Sequence, residues 1–214
     1  MWRVTPPTDT RSPRSTRPPS GRSRLDPAQR REQLLDMGVR LLATRSLDEL
    51  SIDDLAEEAG VSRGLLYHYF GGKQEFREAV CRRAADELVA RTAPPADGEP
   101  AGRLLASVTA YLDYVIDNYQ AYLSLVRGAA GGNATLRQVY DDARASLTDR
   151  IFTADMDGEV VPDTPAARLV VRGWAALAEE LVLTWIADSG PVTREELLAI
   201  LAGSLPALVT GLPG

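Results

Sequence analysis

The stretch Ser51-Ile-Asp-Asp-Leu-Ala-Glu-Glu-Ala-Gly60-Val-Ser62-Arg-Gly-Leu-Leu-Tyr-His-Tyr-Phe70-Gly-Gly-Lys73-Gln-Glu-Phe76 decides the reading of this chain. Ser51 and Asp54, three residues apart, form a capping pair that opens a short helix through Leu55 and Ala56. Gly60 stops it, because a helix end in the left-handed region favours a residue without Cβ. Ser62 caps a further helix that runs to Phe70 and is closed by Gly71-Gly72. Short helix, Gly-Val-Ser turn and short helix have the geometry of a helix-turn-helix, whose second helix suits a DNA major groove. With Leu66 in the core, Phe70 and Tyr69 share its face, while Gly64, Tyr67 and His68 point away, flanked by Arg63 and Leu65. The absent side chain at Gly64 admits a close partner, and Arg63, Tyr67 and His68 supply donors for phosphates and base edges.

Outward from this stretch the punctuation is helical, and no run of alternating β-branched residues interrupts it. Asp26-Pro27 is an N-cap followed by proline at the first helical position. Leu34, Leu35, Gly38, Leu41 and Leu42 then fall at helical spacing, and this helix should end near Arg45. Lys73 to Arg91 forms a longer helix with Phe76, Val80, Ala84 and Leu88 on one stripe. Thr92 to Pro100, rich in Pro, Gly and Ala, is a linker. Helices follow at about Ala101 to Asn118, Tyr119 to Gly128, Asn133 to Ala154, Thr164 to Ala187 and Thr193 to Val209. The expected class is all-α: an N-terminal three-helix helix-turn-helix domain over residues 25–72 and a C-terminal helical bundle over residues 73–214.

Composition narrows the function. The 214 residues carry 24 Lys+Arg against 30 Asp+Glu, a net charge of −6, with 44% hydrophobic residues, as in an ordinary globular protein. His68 and Cys81 are the only residues of their kinds, too few for a zinc, haem or iron–sulfur site, and no cofactor is expected. Nor do they make a nucleophile–base constellation, so an enzyme is not expected. No run approaches a membrane span and no apolar leader is seen, which points to the cytoplasm. The charge is uneven: residues 1–24 hold six arginines against Asp9, while everything after them is net acidic. This arm, with five prolines among Ser and Thr, is expected to be disordered; it either contacts DNA or has no role.

The pattern Leu55-Ala56, Ala59-Gly60-Val61-Ser62, Gly64, Tyr67, Tyr69-Phe70 and Lys73 resembles the DNA-binding domain of the tetracycline-repressor (TetR) family over roughly residues 28–80. Ser51 stands where that family often has Thr, and Phe76 where Leu is usual. The resemblance implies a homodimeric, ligand-responsive transcription regulator, usually a repressor, bound to a palindromic double-stranded DNA operator. By position it implies that Arg63, Gly64 and Leu65 face bases or backbone, and that Tyr67, Tyr69 and Lys73 contact phosphate. Ser51 lies at a helix N-terminus that favours phosphate, Ser62 caps the helix that enters the groove, and His68 is either solvated or a further contact. Tyr69 could equally be core. Lys73 is the only lysine in the chain.

For the C-terminal bundle, polar and aromatic residues on apolar helices are the candidates to line an effector pocket. They are Tyr111, Tyr114, Tyr122, Arg127, Arg172, Trp174 and Glu179. Arg172 and Glu179, seven apart, could instead form an ion pair or stay solvated; a Glu179 that lined a pocket would suit a cationic or hydroxylated ligand. Val170, Trp174, Leu177, Leu181 and Trp185, and Leu197, Leu201, Leu205 and Leu208, recur at helical spacing. These stripes are either the dimer interface of a four-helix bundle or internal core. The competing functional readings are a ligand-requiring activator and a helical interaction protein answering to a protein partner.

Overall fold

A computed structural model describes residues 26–154 and 161–212; the basic arm lies outside the described residues. Within them every regular element is a helix, in the order α1 (Pro27–Leu42), α2 (Ile52–Ala59), α3 (Arg63–Phe70), α4 (Lys73–Arg91), α5 (Pro100–Asp117), α6 (Tyr119–Ala130), α7 (Ala134–Ala154), α8 (Pro165–Ala187) and α9 (Arg194–Thr210). The caps read from sequence form. Asp26 Oδ1 accepts from the Gln29 amide at 2.8 Å and the Gln29 side chain accepts from the Asp26 amide, a reciprocal box. Ser51, Ser62 and Thr164 each accept from an amide three residues on, and Thr193 and Glu196 make a second full box. Gly60 ends α2 at φ 62°, in the left-handed region. The first helix stops at Leu42 rather than near Arg45. There the Ala43 amide is shared between the Val39 and Arg40 carbonyls, and the Leu41 carbonyl accepts from both the Thr44 and Arg45 amides, so the helix passes through a tightened turn of i→i−3 bonds.

Two cores divide the chain. The first joins Leu34, Leu42, Leu55, Leu66, Phe70, Phe76 and Val80, and continues into α6 and α7 through Leu125, Leu136 and Val139. The second joins Leu112, Val115, Trp174, Val182, Leu201 and Leu205, and takes Leu88 from the far end of α4. Helix α4 therefore belongs to both: its first half completes the core under α1–α3 and its last turn enters the core of the bundle. Close packing of α1 on α4 depends on Gly38, where a Cβ would sit 2.6 Å from Val80 Cγ2.

The stripes on α8 and α9 correct part of the expectation. Trp174, Leu197, Leu201 and Leu205 are buried within the chain, and the Trp174 indole donates to the Leu201 carbonyl and the Ser204 hydroxyl. The outward face keeps only Leu177 and Leu208 of those stripes and adds Leu169 and Ile200, with Gly173, Ala176, Ala199, Gly203 and Ala207 between them. Helical spacing shows which residues share a face. It does not show which of two apolar faces turns inward when α9 must also cover α5.

Candidate nucleic-acid interface and effector cavity

Helix α3 is held by Leu66 and Phe70, both buried, with Phe70 edge-on to Phe76 and under the Arg31 guanidinium. That anchoring fixes what faces out. Tyr67 is 50% exposed; Ser62, Arg63, Gly64 and His68 are also exposed, and Leu65 is half-buried. Tyr69 packs against the first core and stacks its edge on His68. Lys73, exposed at the first position of α4, borders the same surface. Arg63 Nε lies 2.6 Å from Asp53 Oδ1 of α2, so the arginine at the start of the exposed helix is already aimed by a carboxylate. The Ser51 hydroxyl is spent inside the protein instead of being offered to phosphate: it donates to Asp54 Oδ2 at 2.7 Å and accepts from the Asp54 amide. This bond, ahead of the nearby Arg45, holds the Asp54 carboxyl below its ordinary pKa.

A second site lies in the C-terminal bundle: a cavity of about 150 Å³ lined by residues of α4, α5, α6, α7, α8 and α9 and open to solvent on one side. Four of the seven residues expected there line it: Tyr111, Tyr122, Trp174 and Glu179. The other three do not. Tyr114 is buried elsewhere, donating its hydroxyl to the Ala84 carbonyl at 2.7 Å and so tying α5 to α4. Arg127 and Arg172 are exposed on the outer faces of their helices. Arg172 and Glu179 form no pair, because the Glu179 carboxylate is taken by two phenols, Tyr122 at 2.7 Å and Tyr140 at 2.8 Å.

Tyr140 and Arg144 of α7 line the cavity without having been anticipated, as do Arg103, Ser107 and Arg150. Helix α7 reads as a polar, solvent-facing helix, rich in Arg, Asp and Gln. The available signal was Leu136, Tyr140, Ala143 and Leu147 recurring at three- and four-residue steps. Tyr111 bonds Tyr122 at 2.8 Å, Arg144 Nη1 donates to the Tyr140 hydroxyl, and Arg144 Nη2 donates to the Arg172 carbonyl. Burial, the largest cause in each case, raises the pKa of all three phenols, Tyr140 to about 12. At the opposite end, Arg150 donates to the Val89 carbonyl at 2.7 Å and to the Thr92 hydroxyl, fastening α7 to the C-terminal turn of α4. Cys81 is buried in the first core, where desolvation pushes its thiol up to about 12, consistent with a packing residue.

Among the described residues no cluster of three or more metal-ligating side chains occurs, and no helix is long and apolar enough to cross a membrane.

Comparison with known proteins finds a family match for each of the two parts of the chain. Residues 34–80 match the family described as bacterial regulatory proteins, tetR family, and residues 100–207 match the tetracyclin repressor-like C-terminal domain. A TetR-family transcriptional regulator from Streptomyces coelicolor, of solved structure, is 36% identical with a TM-score of 0.76, over 86% of this chain and 82% of that one. The transcriptional activator FasR of Mycolicibacterium smegmatis is 26% identical across 81% of this chain and 80% of its own length. The regulator EthR of the same species is 26% identical across 87% and 89%. The exposed α3 of a helix-turn-helix, joined through α4 to a hollow helical bundle, is thus matched in both its parts, and the chain belongs to the TetR family of DNA-binding transcriptional regulators.

Proposed function

We propose that the protein is a homodimeric repressor that binds a palindromic operator through α3 and releases it when a small molecule fills the bundle cavity. The observation that carries this reading is the sharing of α4 between the two cores: one end supports α3, and the other contributes Leu88 and Thr92 to the cavity wall. A ligand that favours a different seat for that last turn would change the angle of α4. The two recognition helices of a dimer would then no longer match successive major grooves. Residues 25–72 are assigned to DNA binding and 73–214 to effector binding and dimerisation, in the cytoplasm. Arg63, Gly64, Leu65, Tyr67, His68, Tyr69, Ser62 and Lys73 form the DNA surface, with Ser51 acting on it only through its helix cap. The outward faces of α8 and α9 pair two subunits into a four-helix bundle.

Selection of genomic fragments bound by the purified protein tests this reading. A palindrome enriched by the wild type and lost by a Tyr67→Ala, Lys73→Ala variant is the expected result. A folded dimer that enriches no fragment overturns it. One observation favours a second reading, a ligand-requiring activator: the relative FasR is named an activator. In that case the palindrome emerges only when effector is present.

A further inference from the structure

The hydrogen-bond directions in the bundle cavity specify the kind of molecule it accepts, given the effector-binding reading above. Tyr122 donates to one oxygen of Glu179 and Tyr140 to the other. A hydroxyl has one hydrogen, so the 2.8 Å contact between Tyr111 and Tyr122 is donated by Tyr111. All three phenolic hydrogens are thereby committed, directly or in relay, to the Glu179 carboxylate. Arg144 donates Nη1 to the Tyr140 hydroxyl and Nη2 to the Arg172 carbonyl, with its guanidinium 5.7 Å from the Tyr140 ring centroid, so a cation stands one hydroxyl away from the carboxylate.

Around Glu179 this end of the cavity therefore offers carboxylate lone pairs, phenol oxygens and aromatic side chains, with Arg144 the one guanidinium lining it there. A ligand carboxylate or carbonyl placed against Glu179 would meet a like charge and phenol oxygens whose hydrogens are already committed. A donor would complete the network, and a cation would in addition compensate Glu179 and sit against the rings of Tyr111, Tyr122 and Trp174. The rest of the wall, including Leu104, Val108, Leu147 and Ile151, is apolar. At the other end, the Arg103 Nε donates to the Pro95 carbonyl and Arg150 to Val89 and Thr92, so the hydrogen bonds seen there serve the linker and the end of α4. An apolar cavity of about 150 Å³ holds one benzene ring, and this one measures about 150 Å³. We infer that the effector is a compact, largely apolar molecule of about one ring in size that carries a protonated amine, and that the amine docks on Glu179.

Three probes that share one body and differ in head group decide the matter: benzylamine, benzyl alcohol and benzoate, titrated calorimetrically into the full chain. Benzylamine should bind about tenfold or more tighter than the alcohol, with benzoate weakest. In Glu179→Gln, a near-isosteric change, benzylamine should lose about tenfold or more while the alcohol changes little. The unchanged affinity of Glu179→Gln for benzyl alcohol guards against a fold artefact. Benzoate binding as tightly as benzylamine, equal amine affinity in Glu179→Gln, or no binding of any probe would overturn the inference. Operator binding measured on the same preparations separates the two readings: intact DNA binding without amine binding removes this inference alone, and absent DNA binding removes the regulator.

Discussion

Gly64 shows how a single residue answers two demands. A Cβ built there would meet only the Ser62 hydroxyl oxygen, at 4.0 Å, so the position is open on the outward side of α3. Within a helix, glycine costs about 0.5–1 kcal/mol relative to alanine. Gly64→Ala should therefore raise the melting temperature while weakening operator affinity by about tenfold, as the added methyl holds the helix backbone off the groove. Thermal melts and fluorescence anisotropy with operator DNA would check the opposite signs, and a variant that binds normally would deny the close approach. The cavity tyrosines make a pH prediction. Burial disfavours phenolate, so the native state keeps protons that the unfolded chain releases above about pH 10. Stability should be full below that value and fall as pH rises toward the raised native pKa, about 12 for Tyr140. Tyr140→Phe should flatten the alkaline part of a denaturation series. Tyr67, Gly64 and Lys73 were legible one by one because a dense local motif fixed their facing. Tyr140 and Arg144 were not, since their role comes from the helices that happen to lie opposite α7.

At the scale of elements, caps and breakers placed nearly every helix to within two residues, because serine, aspartate, proline and glycine act on their immediate neighbours. The exception at Arg45 is a last turn that tightens to i→i−3 bonds from the Ala43 and Thr44 amides, a local effect that periodicity does not register. Orientation was less legible. Helices α8 and α9 have apolar residues on more than one side, and the choice between them is made by α5, distant in sequence. Helix α4 carries the testable consequence. Its last turn is fastened by Arg150 through the Val89 carbonyl and Thr92 hydroxyl. Arg150→Met should cost about 1–3 kcal/mol through lost charge-assisted bonds. It should also reduce the difference in operator affinity with and without effector, because the turn through which the proposed switch acts is no longer held. Urea denaturation and paired operator titrations measure the two effects; an unchanged effector response would detach Arg150 from the switch.

For the whole molecule, adjacent residues on α9 separate folding from assembly. Ile200 is 50% exposed on the outward face, whereas Leu201 is fully buried between helices. Ile200→Asp should leave helicity and melting cooperativity intact but give a monomer with weakened operator binding, since paired half-sites need paired subunits. Leu201→Asp should unfold the bundle, because burying an unpaired carboxylate there costs several kcal/mol. Sedimentation velocity and circular dichroism distinguish the outcomes, and an Ile200→Asp dimer would place the interface elsewhere. The acidic bulk of the chain is no obstacle to DNA binding, because the surface around α3 presents Arg63 and Lys73 locally.

Lys73 gives that surface a chemical address. As the only lysine of the sequence, exposed at the start of α4, it is the one ε-amine an acylating reagent can find. Mass-spectrometric footprinting thus reports occupancy of the DNA face in the unaltered protein: the label at Lys73 should fade when operator is added and return when the effector releases it.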